Sequence, residues 1–105
     1  MLFEKKKIRE RFRTEVFSRD CDKCRMCGVL NKENTHDAHH ITDRSLMPGG
    51  GYVKENGITL CPSCHEQAEI FHSTGEEISG WTPAELYKKI NSSYEKAVEK
   101  SKRLL

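Results

Sequence analysis

The sequence contains no apolar run that approaches the ~18 residues of a membrane-spanning helix. Its start, Met-Leu-Phe-Glu-Lys-Lys-Lys, turns charged at once and lacks the apolar stretch of a secretory signal. The expectation is therefore an unexported chain with no membrane contact. Apolar material is scarce as well: hydrophobic residues are 35% and charged residues 32% of 105, so any core is thin. A domain of this size buries a modest share of its surface and is only marginally stable without help. Charge of one sign is missing too, since 18 basic against 16 acidic residues leave a formal +2 that selects no class of partner. No internal repeat or low-complexity linker divides the chain, which reads as a single domain over 1–105.

What the chain does have is cysteine. An odd count of five fits a disulfide framework poorly, and in a reducing compartment such clusters more often bind metal. Cys24-Arg25-Met26-Cys27-Gly28 and Cys61-Pro62-Ser63-Cys64 form a pair of C-x-x-C motifs. Four thiolates close a tetrahedral zinc site, and two residues between ligands let a tight turn bring both sulfurs to one ion. Gly28 suits the positive-φ position such a knuckle needs. Cys21-Asp22-Lys23-Cys24 has the same spacing, but Arg25 follows it where a glycine is expected. Cys24 and Cys27 are thus the preferred ligands and Cys21 a spare structural thiol. A redox role would call for a βαβ pattern around the pair, and none is present. Structural zinc can contribute on the order of 10 kcal/mol to folding, which explains why so small a core would need it.

Ile8, Phe12 and Val16 recur at four-residue spacing and predict a helix over 3–19. Over residues 1–20, Lys5, Lys6, Lys7, Arg9, Arg11, Arg13 and Arg19 outweigh Glu4, Glu10, Glu15 and Asp20. That basic face is either solvated or in contact with phosphate. Residues 20–37 are polar and turn-rich, 38–41 and 58–60 read as short strands, and Met47–Gly51 reads as a loop. A helix is expected from Pro62 to about His72. Thr82-Pro83 with Glu85 gives a capping box, and Ser92-Ser93-Tyr94-Glu95 repeats the pattern, so residues 82–104 read as two helices or one broken near Asn91.

The stretch between the cysteine pairs is longer than a simple zinc ribbon needs, and it holds Asp37-Ala38-His39-His40-Ile41 and Asn56. Neighbouring residues of a strand point to opposite sides, so His39 and His40 suggest two roles. His65, directly after Cys64, opens a helix that the zinc would hold rigid. His65 and one strand histidine can hold a second metal with open positions, leaving the other histidine free as a general base. His36 and His72 read as surface or packing histidines, Asn56-Gly57 is a turn signal in its own right, and Arg44 reads as a solvated arginine that could instead reach phosphate. Asp37 and Asp43 are candidates for positioning a histidine by hydrogen bonding.

Cys24-x-x-Cys27, His39-His40, Asn56 and Cys61-x-x-Cys64-His65 in this order resemble an HNH endonuclease of the zinc-supported ββα-metal (treble-clef) type, over roughly residues 15 to 71. The likeness is greatest to small stand-alone proteins of phages and prophages. It implies an α+β fold: a zinc and HNH core over 20–72, flanked by the basic N-terminal helix at 1–19 and the C-terminal helices at 82–104.

By that resemblance His40 is the general base, His39 and His65 are ligands of the catalytic divalent ion, and Asn56 braces the loop between the strands and keeps His40 oriented. Cys24, Cys27, Cys61 and Cys64 hold the structural zinc. Many relatives carry Asp where His39 stands. Two imidazole ligands favour manganese, nickel or zinc over magnesium, yet the family often works with magnesium, so the ion stays open between magnesium and manganese. The implied activity is hydrolysis of DNA, double-stranded by preference, to 5′-phosphate and 3′-hydroxyl ends. One centre would nick one strand with weak sequence specificity, in a cytoplasmic monomer or weak homodimer of bacterial or phage origin. The alternative is a catalytically silent zinc module that binds nucleic acid or protein and has no use for His40.

Overall fold

The computed structural model describes residues 2–104, with side chains from residue 4 onward. Six elements matter: helix α1 (Leu2–Arg19), strand β1 (Asp37–His40), strand β2 (Gly57–Leu60), and helices α2 (Pro62–Thr74), α3 (Pro83–Lys89) and α4 (Tyr94–Lys102). This is a small α+β protein built on an antiparallel hairpin, with Asp37 opposite Leu60 and His40 opposite Gly57.

Alternation along the strands decides what each face meets. Phe12 and Val16 of α1 are buried against one face, with Ile8 half-buried at the end of the same stripe. Gly57 makes that approach possible. A Cβ there would stand 2.5 Å from Val16 Cγ2 and 2.7 Å from two ring atoms of Phe12, although the backbone conformation (φ −125°) is open to any residue. The other face meets α2, and Ile41, Ile58, Leu60 and Ala68 run on from it into a core with Leu86, Tyr87, Ile90 and Ala97 of the C-terminal helices.

Two polar groups tie these layers together. Asp20 is buried; its carboxylate accepts from both Nε and Nη2 of Arg19 at 2.8 Å, from Arg25 at 3.4 Å, and from the backbone N–H of Thr59 at 2.9 Å. Arg19 also donates to the carbonyls of Lys54 (2.6 Å) and Gly57 (2.7 Å), locking the end of α1 to the start of β2. Arg25 donates to the carbonyl of Lys89, which joins the cysteine knuckle to α3. Four charge-assisted bonds on one buried carboxylate satisfy a group that would otherwise be costly to bury.

The sequence places most of these elements within a residue or two. β1 begins and ends one residue earlier than expected, and α2 runs on to Thr74, where Gly75 (φ 75°) supplies the left-handed C-cap. The Thr82–Glu85 capping box forms, and the C-terminal region is two helices separated at Asn91, itself at φ 56°. Met47–Gly51 is tighter than a plain loop: Gly49, Gly50 and Gly51 all take positive φ (59°, 81° and 67°).

Because Gly57 fails by crowding and not by backbone strain, Gly57→Ala is expected to lower stability by about 1–3 kcal/mol, the usual cost of overpacking. Urea unfolding would show this as a lower midpoint at unchanged slope. An unchanged midpoint would mean that α1 does not rest on this face.

Candidate active site and metal centres

Cys24 and Cys27 sit on a knuckle closed by the Gly28 N–H, which donates to the Cys24 carbonyl at 2.8 Å; Gly28 has φ 81° with open space around it, so glycine is needed there for its dihedral. Cys61 directly follows β2 and is the N-cap of α2, and Cys64 follows in the first turn. One ligand atom from each of the four lies within 4.8 Å of the others. Tetrahedral coordination at a Zn–S distance of about 2.3 Å would set sulfurs about 3.8 Å apart, and Cys27 Sγ to Cys61 Sγ is 3.7 Å. The donor set and spacing fit a metal such as zinc. Burial pushes the Cys61 thiol up, but hydrogen bonds from Ser63 and the Cys64 backbone outweigh it and bring the group down to about 6. Cys64 is pushed the other way by burial and its cysteine neighbours. Cys21 is exposed and outside the cluster.

The start of α2 fixes what comes next. His65 donates its backbone N–H to the Cys61 carbonyl at 2.8 Å, so it lies one helical turn from the sulfur cluster. Residues four and seven positions on share its side of the helix, and they are Glu69 and His72. This stripe faces His39 of β1. Glu69 Oε1 lies 3.0 Å from His65 Nε2 and 3.3 Å from His39 Nδ1, and the three together could hold a metal ion. His65 Nδ1 stands 3.1 Å from Asp37 Oδ2. The His72 ring packs edge-on to His39 with centroids 5.0 Å apart, and its Nε2–H donates to the Ile41 carbonyl at 3.1 Å.

His39 is buried, and its Nε2 has no hydrogen-bond partner. Burial, then the charges His72 and His65 would carry, lower its pKa to about 3, which keeps it in the neutral form that ligates metal. His39 Nδ1, 3.3 Å from the Glu69 carboxylate, together with that carboxylate and the His65 imidazole makes a donor set suited to a divalent cation.

His40 points to the opposite face. Its ring stacks on Phe12 (centroids 4.4 Å, 24° between planes) and meets the edge of Tyr52 at 4.7 Å. Burial, then the Arg44 charge, lower its pKa to about 4, and its Nε2 is buried without a partner. Near pH 7 it is thus a neutral imidazole whose Nε2 is not tied up by the protein.

Asn56 is wholly buried. Its Nδ2 donates to the carbonyls of Thr42 (3.1 Å) and Gly51 (3.2 Å), while its Oδ1 accepts from the Thr42 N–H (3.0 Å) and the Tyr87 hydroxyl (2.7 Å). It therefore cross-links the two sides of the segment between the strands, with α3 supplying a fourth contact.

Of the residues singled out in sequence, His39 and His65 come together, His40 lies on the other face of the same strand, and Asn56 ties down the segment behind them. Glu69 escaped notice, though His65 and Glu69 at i, i+4 on one helix was the available signal. Of the surface and packing readings, both histidines take the packing one: His72 lies beside His39, and His36 is buried, with Nε2–H donating to the Val29 carbonyl at 3.0 Å.

The family model described as HNH endonuclease matches residues 24–69. Over those residues the chain is similar to the HNH endonuclease family, which supports a nuclease-family role related to nucleic acid. No curated protein and no solved structure matches the chain. Among the described residues no helix is long and apolar enough to cross a membrane.

Zinc-type clusters contribute about 10–16 kcal/mol, as much as the whole net stability of a small domain. Cys24→Ser is accordingly expected to lose its tightly bound metal and its cooperative thermal transition together, read by elemental analysis and circular dichroism. A wild-type melting curve from the serine variant would rule out the cluster as a folding centre.

Proposed function

We propose that the protein is a metal-dependent DNA endonuclease that hydrolyses phosphodiester bonds to 5′-phosphate and 3′-hydroxyl ends. One observation carries the reading: a neutral histidine with a free ring nitrogen, His40, stands next in sequence to a ligand set, His39, His65 and Glu69, on the opposite face of one short strand.

In this mechanism His40 takes the proton from the attacking water, a task for which a neutral imidazole is suited near pH 7. Phe12 and Tyr52 hold its ring on two sides, so the base is oriented before substrate arrives. Asn56 acts through the backbone at Thr42 and Gly51, keeping β1 and its continuation in place. A divalent ion, magnesium or manganese, held by His39, His65 and Glu69 would supply charge stabilisation at the phosphate and the leaving 3′-oxygen. Zinc at Cys24, Cys27, Cys61 and Cys64 has the structural part. The helices at both ends fold with this core as one domain, and the working form is a monomer or weak homodimer in the cytoplasm of a bacterium or phage-infected cell. One centre per chain cuts one strand of duplex DNA, with little sequence preference.

The test is supercoiled plasmid with magnesium or manganese added back after mild chelation. Wild-type protein should give nicked circles before any linear form, and His40→Ala should slow nicking by about 10²–10⁴-fold, the range for removing a general base. Equal rates from both proteins would remove His40 from that role. Salt-sensitive DNA binding without cleavage under either ion would favour a silent nucleic-acid-binding module.

A further inference from the structure

Three adjoining hollows share Arg44 as a common wall. The first, about 300 Å³, holds the ligand set with His40 at its border. The second, about 220 Å³, lies over His40 and is bounded by Phe12, Arg13 and Tyr52. The third, about 460 Å³, opens between α1 and the Asp43–Tyr52 segment and is lined by Lys5, Arg9 and Tyr52. Together they make a groove that leads from the metal ligands, across the base, and out along the basic helix.

The α1 cations in this groove are not scattered. Lys5, Arg9 and Arg13 recur every four residues and so form one row beside the Ile8–Phe12–Val16 stripe that packs on the hairpin. At 1.5 Å per residue that row covers about 12 Å, enough to face more than one phosphate of a strand rising about 3.4 Å per nucleotide.

Tyr52 organises the mouth. Arg44 Nη1 lies 3.0 Å from its hydroxyl, and the Arg9 guanidinium stands 6.0 Å from its ring centre. Arginine has only donors, so Tyr52 Oη must accept from Arg44, and the phenol proton remains available to donate outward. Arg44 keeps the rest of its fork, and two guanidinium groups flanking one hydroxyl match the oxygens of a phosphate. Asp43 also lines the groove, where its carboxylate accepts from the Ser45 N–H at 3.1 Å and from the Ser45 hydroxyl.

We propose that this groove is the track for one DNA strand, and that Arg9, Arg44 and the Tyr52 hydroxyl hold the phosphate next to the one presented to His39, His65 and Glu69. The proposal rests on the nuclease reading for its substrate, but binding tests it separately from cleavage. His40 then sits at the junction of the two phosphate positions. The clamp sets which side of the cut the strand is gripped on, and it makes affinity depend on backbone charge instead of base identity.

The experiment is fluorescence anisotropy of a labelled 20-base-pair duplex from 50 to 200 mM salt, with structural metal retained and no divalent ion added. Wild-type protein is compared with Arg9→Ala, Arg44→Ala, Tyr52→Phe, and Lys102→Ala on α4 as a basic control outside the groove. Each arginine variant should bind about tenfold more weakly, the equivalent of one charge-assisted hydrogen bond. Each should also lower the slope of log K against log salt by about 0.9, one phosphate's worth. Tyr52→Phe should weaken binding with the slope unchanged, and Lys102→Ala should match wild type. Circular dichroism checks the folding of all four. Arginine variants that keep wild-type affinity and slope would overturn the track, even with plasmid nicking intact. Wild-type protein that binds with these slopes yet never nicks would overturn the nuclease reading and leave the track standing. Wild-type protein that prefers a matched RNA duplex would overturn the assignment to DNA.

Discussion

Four cysteine sulfurs packed within 4.8 Å of one another pose the constraint on which everything else in this chain rests. As thiolates they repel, and as thiols they are weak hydrogen-bonding groups at the edge of a thin core. A divalent ion at their centre would resolve both costs and weld the 24–28 knuckle to the junction of β2 and α2. The junction is the important part, because Cys61 directly follows a strand and caps a helix. Fixing its sulfur fixes the phase of α2, and the phase of α2 decides that His65, Glu69 and His72 face β1 while Ala68 faces the core.

The remaining order comes from polar groups that have little freedom to move. Asp20 and Asn56 are buried, and each has partners for its side chain from segments far apart in sequence. Leaving any one of those groups unsatisfied would cost about 1–3 kcal/mol, a sizeable share of what a domain this small has in hand. Such groups do more to define one arrangement than to raise stability. Asp20 holds α1 to β2, Asn56 holds the segment between the strands, and His40 is gripped between elements whose positions those two residues set.

Much of this was legible in the sequence where chemistry and spacing coincide. Paired C-x-x-C motifs need no tertiary information, since a turn alone brings each pair together. Strand alternation separates His39 from His40 without a structure. Caps such as Thr82–Glu85 are local by nature. What escaped are residues whose role comes from distant partners. Glu69 is one acid among sixteen until α2 and β1 are placed side by side. Asn56 is expected from sequence to brace the loop between the strands, but nothing local shows that Tyr87, thirty-one positions later, will complete its hydrogen bonds. Phe12 and Tyr52 look like ordinary core aromatics until they close on His40 from two sides. His72 resembles any helix-end histidine, because its partner is a carbonyl on another element.

The claim that one ion builds the fold and a second occupies the site is tested most directly by a crystal structure of manganese-soaked protein with anomalous data at the zinc and manganese edges. Two separate peaks are expected: zinc among Cys24, Cys27, Cys61 and Cys64, and manganese among His39, His65 and Glu69. Manganese bound away from those three residues, or a cysteine cluster with no metal in a folded protein, would contradict it.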